Sequence, residues 1–152
     1  MPDMIVKLYE LDRWDKGTSA HGCLIRRPLT AEKHLVASWV RKCFSEYWGS
    51  ECESAFAHVP VACFVAQREK TICGFACYDV TSRGFFGPTG VAPEERGKGI
   101  GTSLLFAALR ALAEQGYAYG IIGGAGPVDF YSRTVGAVLI EGSKPGIYAG
   151  LL

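Results

Sequence analysis

With 152 residues, 49% hydrophobic and 20% charged, the chain has apolar material for one folded domain over 1–152 and is not a disordered sequence. A net charge of only +1 excludes a broad basic face for nucleic acid or for an anionic membrane. No apolar run approaches the roughly 20 residues of a membrane helix, and there is no basic-plus-apolar leader, so a cytoplasmic protein is expected.

Met4 to Leu11 and Cys23 to Leu29 read as strands, separated by a polar Gly/Ser/Thr stretch. Thr30 is a suitable N-cap for a helix running to about Phe44, with Leu35, Trp39 and Val40 on one side. A shorter helix is expected within 45–58, before Pro60. Val61 to Gln67 and Thr71 to Val80 form a hairpin around Arg68-Glu69-Lys70, and Phe85 to Val91 is the next strand. Ile100, Leu104, Leu105, Ala108, Leu109 and Leu112 recur at helical spacing in a helix that Gly116 ends. Tyr117 to Gly123 is a further strand, and Gly126-Pro127 opens a short helix that stops at Gly136. Ala137–Glu141 and Gly146–Leu151 are expected to close the chain as a hairpin around Ser143-Lys144-Pro145.

The chemistry concentrates between the 85–91 strand and the 100–115 helix, where the chain reads Arg96-Gly97-Lys98-Gly99-Ile100-Gly101-Thr102. The first amides of a helix lack backbone partners and carry partial positive charge, so this junction suits an oxyanion. The glycines permit close backbone approach, and Arg96 and Lys98 add full charges. A phosphate-bearing ligand is implied. A Walker loop would need Ser or Thr after Lys98, where Gly99 stands, and Gly97, Gly99 and Gly101 have the wrong spacing for a dinucleotide fingerprint.

The six cysteines (23, 43, 52, 63, 73 and 77) form no Cys-x-x-Cys pair. Cys63, Cys73 and Cys77 lie in apolar runs and read as buried free thiols, with no metal site.

Val91-x-Pro93-x-x-Arg96-x-x-Gly99-x-Gly101 resembles the acyl-CoA pyrophosphate loop of the Gcn5-related N-acetyltransferases (GNAT), and the order of predicted elements is similar along nearly the whole chain. The resemblance implies an α/β (α+β) fold, a mixed and mostly antiparallel sheet of about six to seven strands flanked by about four helices. It implies acetyl-CoA as acyl donor, bound by Val91, Arg96, Gly97, Lys98, Gly99, Ile100, Gly101 and Thr102, with the Val91 backbone pairing with the pantetheine arm. Phe130-Tyr131-Ser132-Arg133-Thr134-Val135-Gly136 resembles a family segment whose tyrosine lies near the coenzyme sulfur, which makes Tyr131 the expected proton donor. A phenol with an unperturbed pKa of about 10 keeps its proton until a thiolate forms.

The chain departs from the family pattern at Gly124 and Pro127, where Asn and Ala are common, and at Ala137, where an aromatic is common. Glu46, Asp79 and His58 are the acid–base groups from which a proton acceptor for the amine is sought. Trp39, Phe44, Tyr47 and Trp48 cluster in the region that walls the acceptor cleft in the family. Trp48 and Glu46 are the expected substrate contacts, with Glu51 as a second carboxylate able to attract an amine. The expected partner is therefore a small-molecule amine, such as an amino sugar or a polyamine, with a homodimer as the family's common assembly. Two other readings stand beside this one: a non-catalytic acyl-CoA sensor, and a nucleotide or NAD site disfavoured by the glycine spacing.

Overall fold

A computed structural model describes every residue except Thr18, Ser19 and His21, which belong to the polar stretch between the first two strands. The described residues form one seven-stranded sheet: β1 (Met4–Lys7), β2 (Leu24–Arg26), β3 (Cys63–Arg68), β4 (Thr71–Tyr78), β5 (Phe85–Val91), β6 (Tyr119–Ile122) and β7 (Val138–Leu139). Five helices accompany it: α1 (Leu11–Trp14), α2 (Lys33–Cys43), α3 (Glu46–Ala55), α4 (Ile100–Glu114) and α5 (Val128–Val135). The strand order is β2-β3-β4-β5-β6-β1-β7, antiparallel throughout except for the parallel pair β5–β6. No helix among the described residues is long and apolar enough to cross a membrane.

The helix α4 follows from its sequence. Ile100, Leu104, Leu105, Ala108, Leu109 and Leu112 are all buried on its inner side. Gly74 in β4 lets Leu104 lie against the sheet, since a β-carbon there would sit 3.0 Å from Leu104 Cδ1. On the other face, Phe44 and Trp48 of the α2–α3 region pack on Phe75 of β4, with ring centroids 5.7 and 6.2 Å away. Ser45 caps α3 by accepting a hydrogen bond from the Trp48 amide at 3.2 Å.

Several elements differ from expectation. The strand expected to reach Leu11 stops at Lys7, because Leu8 and Leu11 turn together into the core at a spacing of three. Thr30 does not cap α2 but opens a single 3-10 turn, Thr30–Glu32, whose Glu32 carboxylate accepts from the Leu29 amide at 2.8 Å. On α2 the buried side is Val36, Ala37 and Val40, while Leu35 is exposed. Residues 146–151 form no strand: Gly146–Tyr148 is a 3-10 turn. The slot between β6 and β7 is filled by β1, and β7 offers only two residues as an outer edge.

Candidate active site

The glycine loop is shaped by backbone that only glycine adopts freely. Gly97 has φ 78° and Gly99, the N-cap of α4, has φ 80°, both in the left-handed region. No side chain caps α4, so its first amides remain available at the positive end of the helix dipole. Arg96, Gly97, Gly99, Ile100, Gly101 and Thr102 line a cleft of about 820 Å³, together with Val91 at the end of β5.

The two basic side chains of the loop are placed differently. Arg96 lines the cleft and its Nε donates to the Val91 carbonyl at 3.2 Å. Lys98 is not among the lining residues: its Nζ lies 3.0 Å from Glu95 Oε2, which also accepts from Arg68 at 2.9 Å. The Lys98 and Arg68 cations hold the Glu95 carboxyl below its usual range. Arg133, to which the Phe130–Gly136 motif gives no role, supplies the cleft's second cation from α5. It stands three residues after Phe130 on α5, and Phe130 lines the same cleft, so that spacing along one helix face was the signal available for it.

The cleft exists because two parallel strands part. Strands β5 and β6 pair only at Phe85–Ile121 and Phe86–Ile122, after which β6 ends and β5 continues to Val91. Helix α5 stands at this opening and turns Tyr131 inward, 6% exposed and edge-on to Phe86 at 6.3 Å. The Tyr131 hydroxyl has no hydrogen-bond partner among the described residues. Burial alone pushes its pKa up to about 12.

Tyr131 also borders a second cavity, of about 170 Å³, shared with Trp48, Glu51, Thr81, Phe86 and Tyr148. Trp48 lines both cavities. Glu46 lines neither: its side chain is 84% exposed and paired with Arg41 at 3.1 Å. Asp79 serves a turn, accepting the Gly84 amide at 2.6 Å, and neither it nor His58 borders either cavity. The carboxylate that reaches the small cavity is Glu51.

Away from the cleft, Cys52, Cys63 and Cys77 are fully buried with their Sγ atoms within 4.8 Å of one another. Cys63 and Cys77 are direct partners across β3 and β4, a pairing that linear spacing does not reveal. Burial pushes the Cys77 thiol up, which favours the neutral form in this apolar setting.

An open, mostly antiparallel sheet with a splayed parallel pair and a glycine-capped helix at the splay is a GNAT-like fold. The family model described as Acetyltransferase (GNAT) family matches residues 33–136, and the chain belongs to that family. No curated protein sequence matches the chain.

Among solved structures, it is similar to the GCN5-related glucosamine N-acetyltransferase region of a fungal multi-domain GH3 β-N-acetylglucosaminidase. There the identity is 17% and the TM-score 0.71, over 91% of this chain and 19% of that one. It is also similar to a GCN5-related N-acetyltransferase from Sphaerobacter thermophilus: 20% identity, TM-score 0.68, 91% and 48% coverage. A GNAT family acetyltransferase from Brucella melitensis, in complex with acetyl-CoA, aligns at 20% identity and TM-score 0.59 over 74% and 81%. At these identities the likeness is one of fold. The chain spans about a fifth and about half of the length of the first two.

Proposed function

We propose that this chain is an acetyl-CoA-dependent N-acetyltransferase that passes the acetyl group directly to the primary amine of a small molecule. The observation that carries this reading is Tyr131, a buried phenol kept protonated by its surroundings and bordering both the large cleft and the small cavity.

The residues present fit the coenzyme. The positive-φ glycines and the uncapped first turn of α4 make a cradle for a pyrophosphate, and Arg96 and Arg133 add charge beside it. The 87–91 stretch of β5, which β6 leaves unpaired, offers backbone groups to an extended amide-bearing arm. The expected Val91, Arg96, Gly97, Gly99, Ile100, Gly101 and Thr102 are its holders, with Lys98 acting through Glu95. When bound, acetyl-CoA supplies a thioester whose acyl carbon an amine can attack. Tyr131 holds a proton at its phenolic oxygen for the departing sulfur, and its burial keeps that proton in place across the working pH range. Trp48 and Phe86 line both cavities and place apolar surface where the two meet. The acetyl-CoA complex of the Brucella relative and the family membership support this reading.

Calorimetric titration with acetyl-CoA, with ATP and NADH as controls, tests the donor site. Binding of acetyl-CoA alone, followed by thiol release with an amine, is expected. Binding of ATP or NADH in its place would overturn the reading.

A further inference from the structure

We infer that the small cavity beside Tyr131 binds the non-reacting ammonium of a linear aliphatic diamine, and that the Glu51 carboxylate holds it. The reaction rests on the function proposed above; the ligand rests on the cavity itself.

Glu51 reaches this cavity as a carboxylate without a counter-ion. No lysine, arginine or histidine lines the cavity, and no ion pair involves Glu51 among the described residues. Its Oε1 accepts hydrogen bonds from Thr81 Oγ1 at 2.7 Å and from the Tyr148 hydroxyl at 3.0 Å. Both fix the carboxylate without neutralising it, and Oε2 has no partner among the described residues. The C-terminal segment that carries Tyr148 is held to α3 at a second point, since the Tyr47 hydroxyl donates to the Leu152 carbonyl at 2.7 Å. Trp48 and Phe85 line the cavity beside Glu51, and such faces favour a cation over an anion.

Size and charge then select the ligand. A volume of about 170 Å³ is close to that of a cavity that takes one benzene ring, on the order of 150 Å³. A slim methylene chain of about the heavy-atom count of benzene fits, whereas a hydroxylated sugar ring has about twice as many heavy atoms and exceeds that volume. A carboxylate beside an amine stabilises the ammonium form, the opposite of what the attacking nitrogen needs. Glu51 therefore suits an end that stays charged, while the other end of the molecule, neutral, lies toward Tyr131. A linear diamine has both ends.

Initial rates test this with acetyl-CoA and either 1,4-diaminobutane, 1,5-diaminopentane, the two monoamines of matching length, or glucosamine. The wild type is expected to favour diamines over matched monoamines by roughly tenfold or more, as for a charge-assisted contact. Glu51→Gln should bring that ratio toward one with acetyl-CoA affinity retained, and Glu51→Asp should keep part of the preference. Equal rates for glucosamine or monoamines, a full diamine preference in Glu51→Gln, or no amine turnover by a protein that binds acetyl-CoA would each overturn the proposal. Should acetyl-CoA itself not bind, the function falls first. Calorimetry with 1,4-diaminobutane on wild type and Glu51→Gln then decides the cavity alone: binding lost in the variant supports it, and no binding to wild type overturns it.

Discussion

A β-carbon at Gly90 would lie 2.4 Å from Cζ of Phe44, so the phenyl ring occupies the space of a side chain at position 90. Phe44 in turn packs on Trp48, ring centroids 5.1 Å apart, and Trp48 borders both cavities. Gly90→Ala should therefore displace the ring pair, costing about 1–3 kcal/mol as for an overpacked core. Thermal unfolding and tryptophan fluorescence check it. An unchanged melting point and spectrum would mean that the ring moves freely.

Tyr131→Phe removes the phenolic proton and keeps the packing on Phe86. The expected result is a kcat lowered about 100-fold with acetyl-CoA affinity little changed. A weakened affinity with kcat retained would make Tyr131 a packing residue. The same group has a pH signature. Burial disfavours the phenolate and raises its folded pKa from the ordinary phenol value of 10.0 to about 12. The folded state thus loses no stability from Tyr131 below pH 10, and loses it as pH rises from 10 toward 12. Phenolate absorbance should show one tyrosine titrating last and together with unfolding.

At the loop, Arg96→Glu should weaken acetyl-CoA binding by about tenfold or more, as for loss and reversal of a charge-assisted contact. Lys98→Ala should cost less, because its ammonium is already engaged by Glu95. Gly99→Val imposes a β-branched residue at φ 80° and should destabilise the helix start by about 1–2 kcal/mol or more, beside its effect on binding. Calorimetry on the three variants gives the order; an equal loss in Arg96→Glu and Lys98→Ala would contradict the placement of the two cations.

Much of this site could be read from the chain. The Arg96–Thr102 loop and Tyr131 sit inside short motifs whose geometry is local, a turn with positive φ and a helix of eight residues. The sheet's middle was equally legible, since β3, β4 and β5 are runs bounded by turns. What stayed hidden depends on distant partners. Glu51 differs from Glu46 only in which side of α3 it stands on and in meeting Thr81 and Tyr148. The expected closing hairpin does not form because β7 finds its neighbour in β1, at the far end of the sequence, and no periodicity in 137–151 records that. Leu35 appeared apolar and therefore inner, whereas Val36, Ala37 and Val40 fill the buried side.

Glu32 should report on acid stability. The Arg26 guanidinium beside it, 2.7 Å away, holds its pKa at about 2, down from 4.5. A depressed carboxyl contributes fully above pH 4.5 and loses its contribution as pH falls through 2. With both side chains 30% exposed, solvent screening leaves about 1–2 kcal/mol of it. Glu32→Gln should lower stability by that amount at pH 7 and by almost nothing near pH 2, read by denaturant titration at the two pH values.

Thiol chemistry offers a further check. Cys43 is exposed, whereas Cys52, Cys63, Cys73 and Cys77 are buried. A water-soluble disulfide reagent should modify Cys43 at once and the buried four only on unfolding. Rapid reaction of all six in the native protein would contradict the packing around β3 and β4.

The insertion of β1 between β6 and β7 gives this sheet an order of assembly. Lys7 pairs with Tyr119 and Met4 with both Ile122 and Leu139, so the first strand to be synthesised is among the last to find its neighbours. Until then Met4 and Val6, both fully buried in the finished protein, have no sheet to enter. Such long-range pairing is slow to form. Trimming the first seven residues would not shorten a loose end. It would remove an internal strand, part β6 from β7, and leave the helix that carries Tyr131 joined to the sheet on one side only.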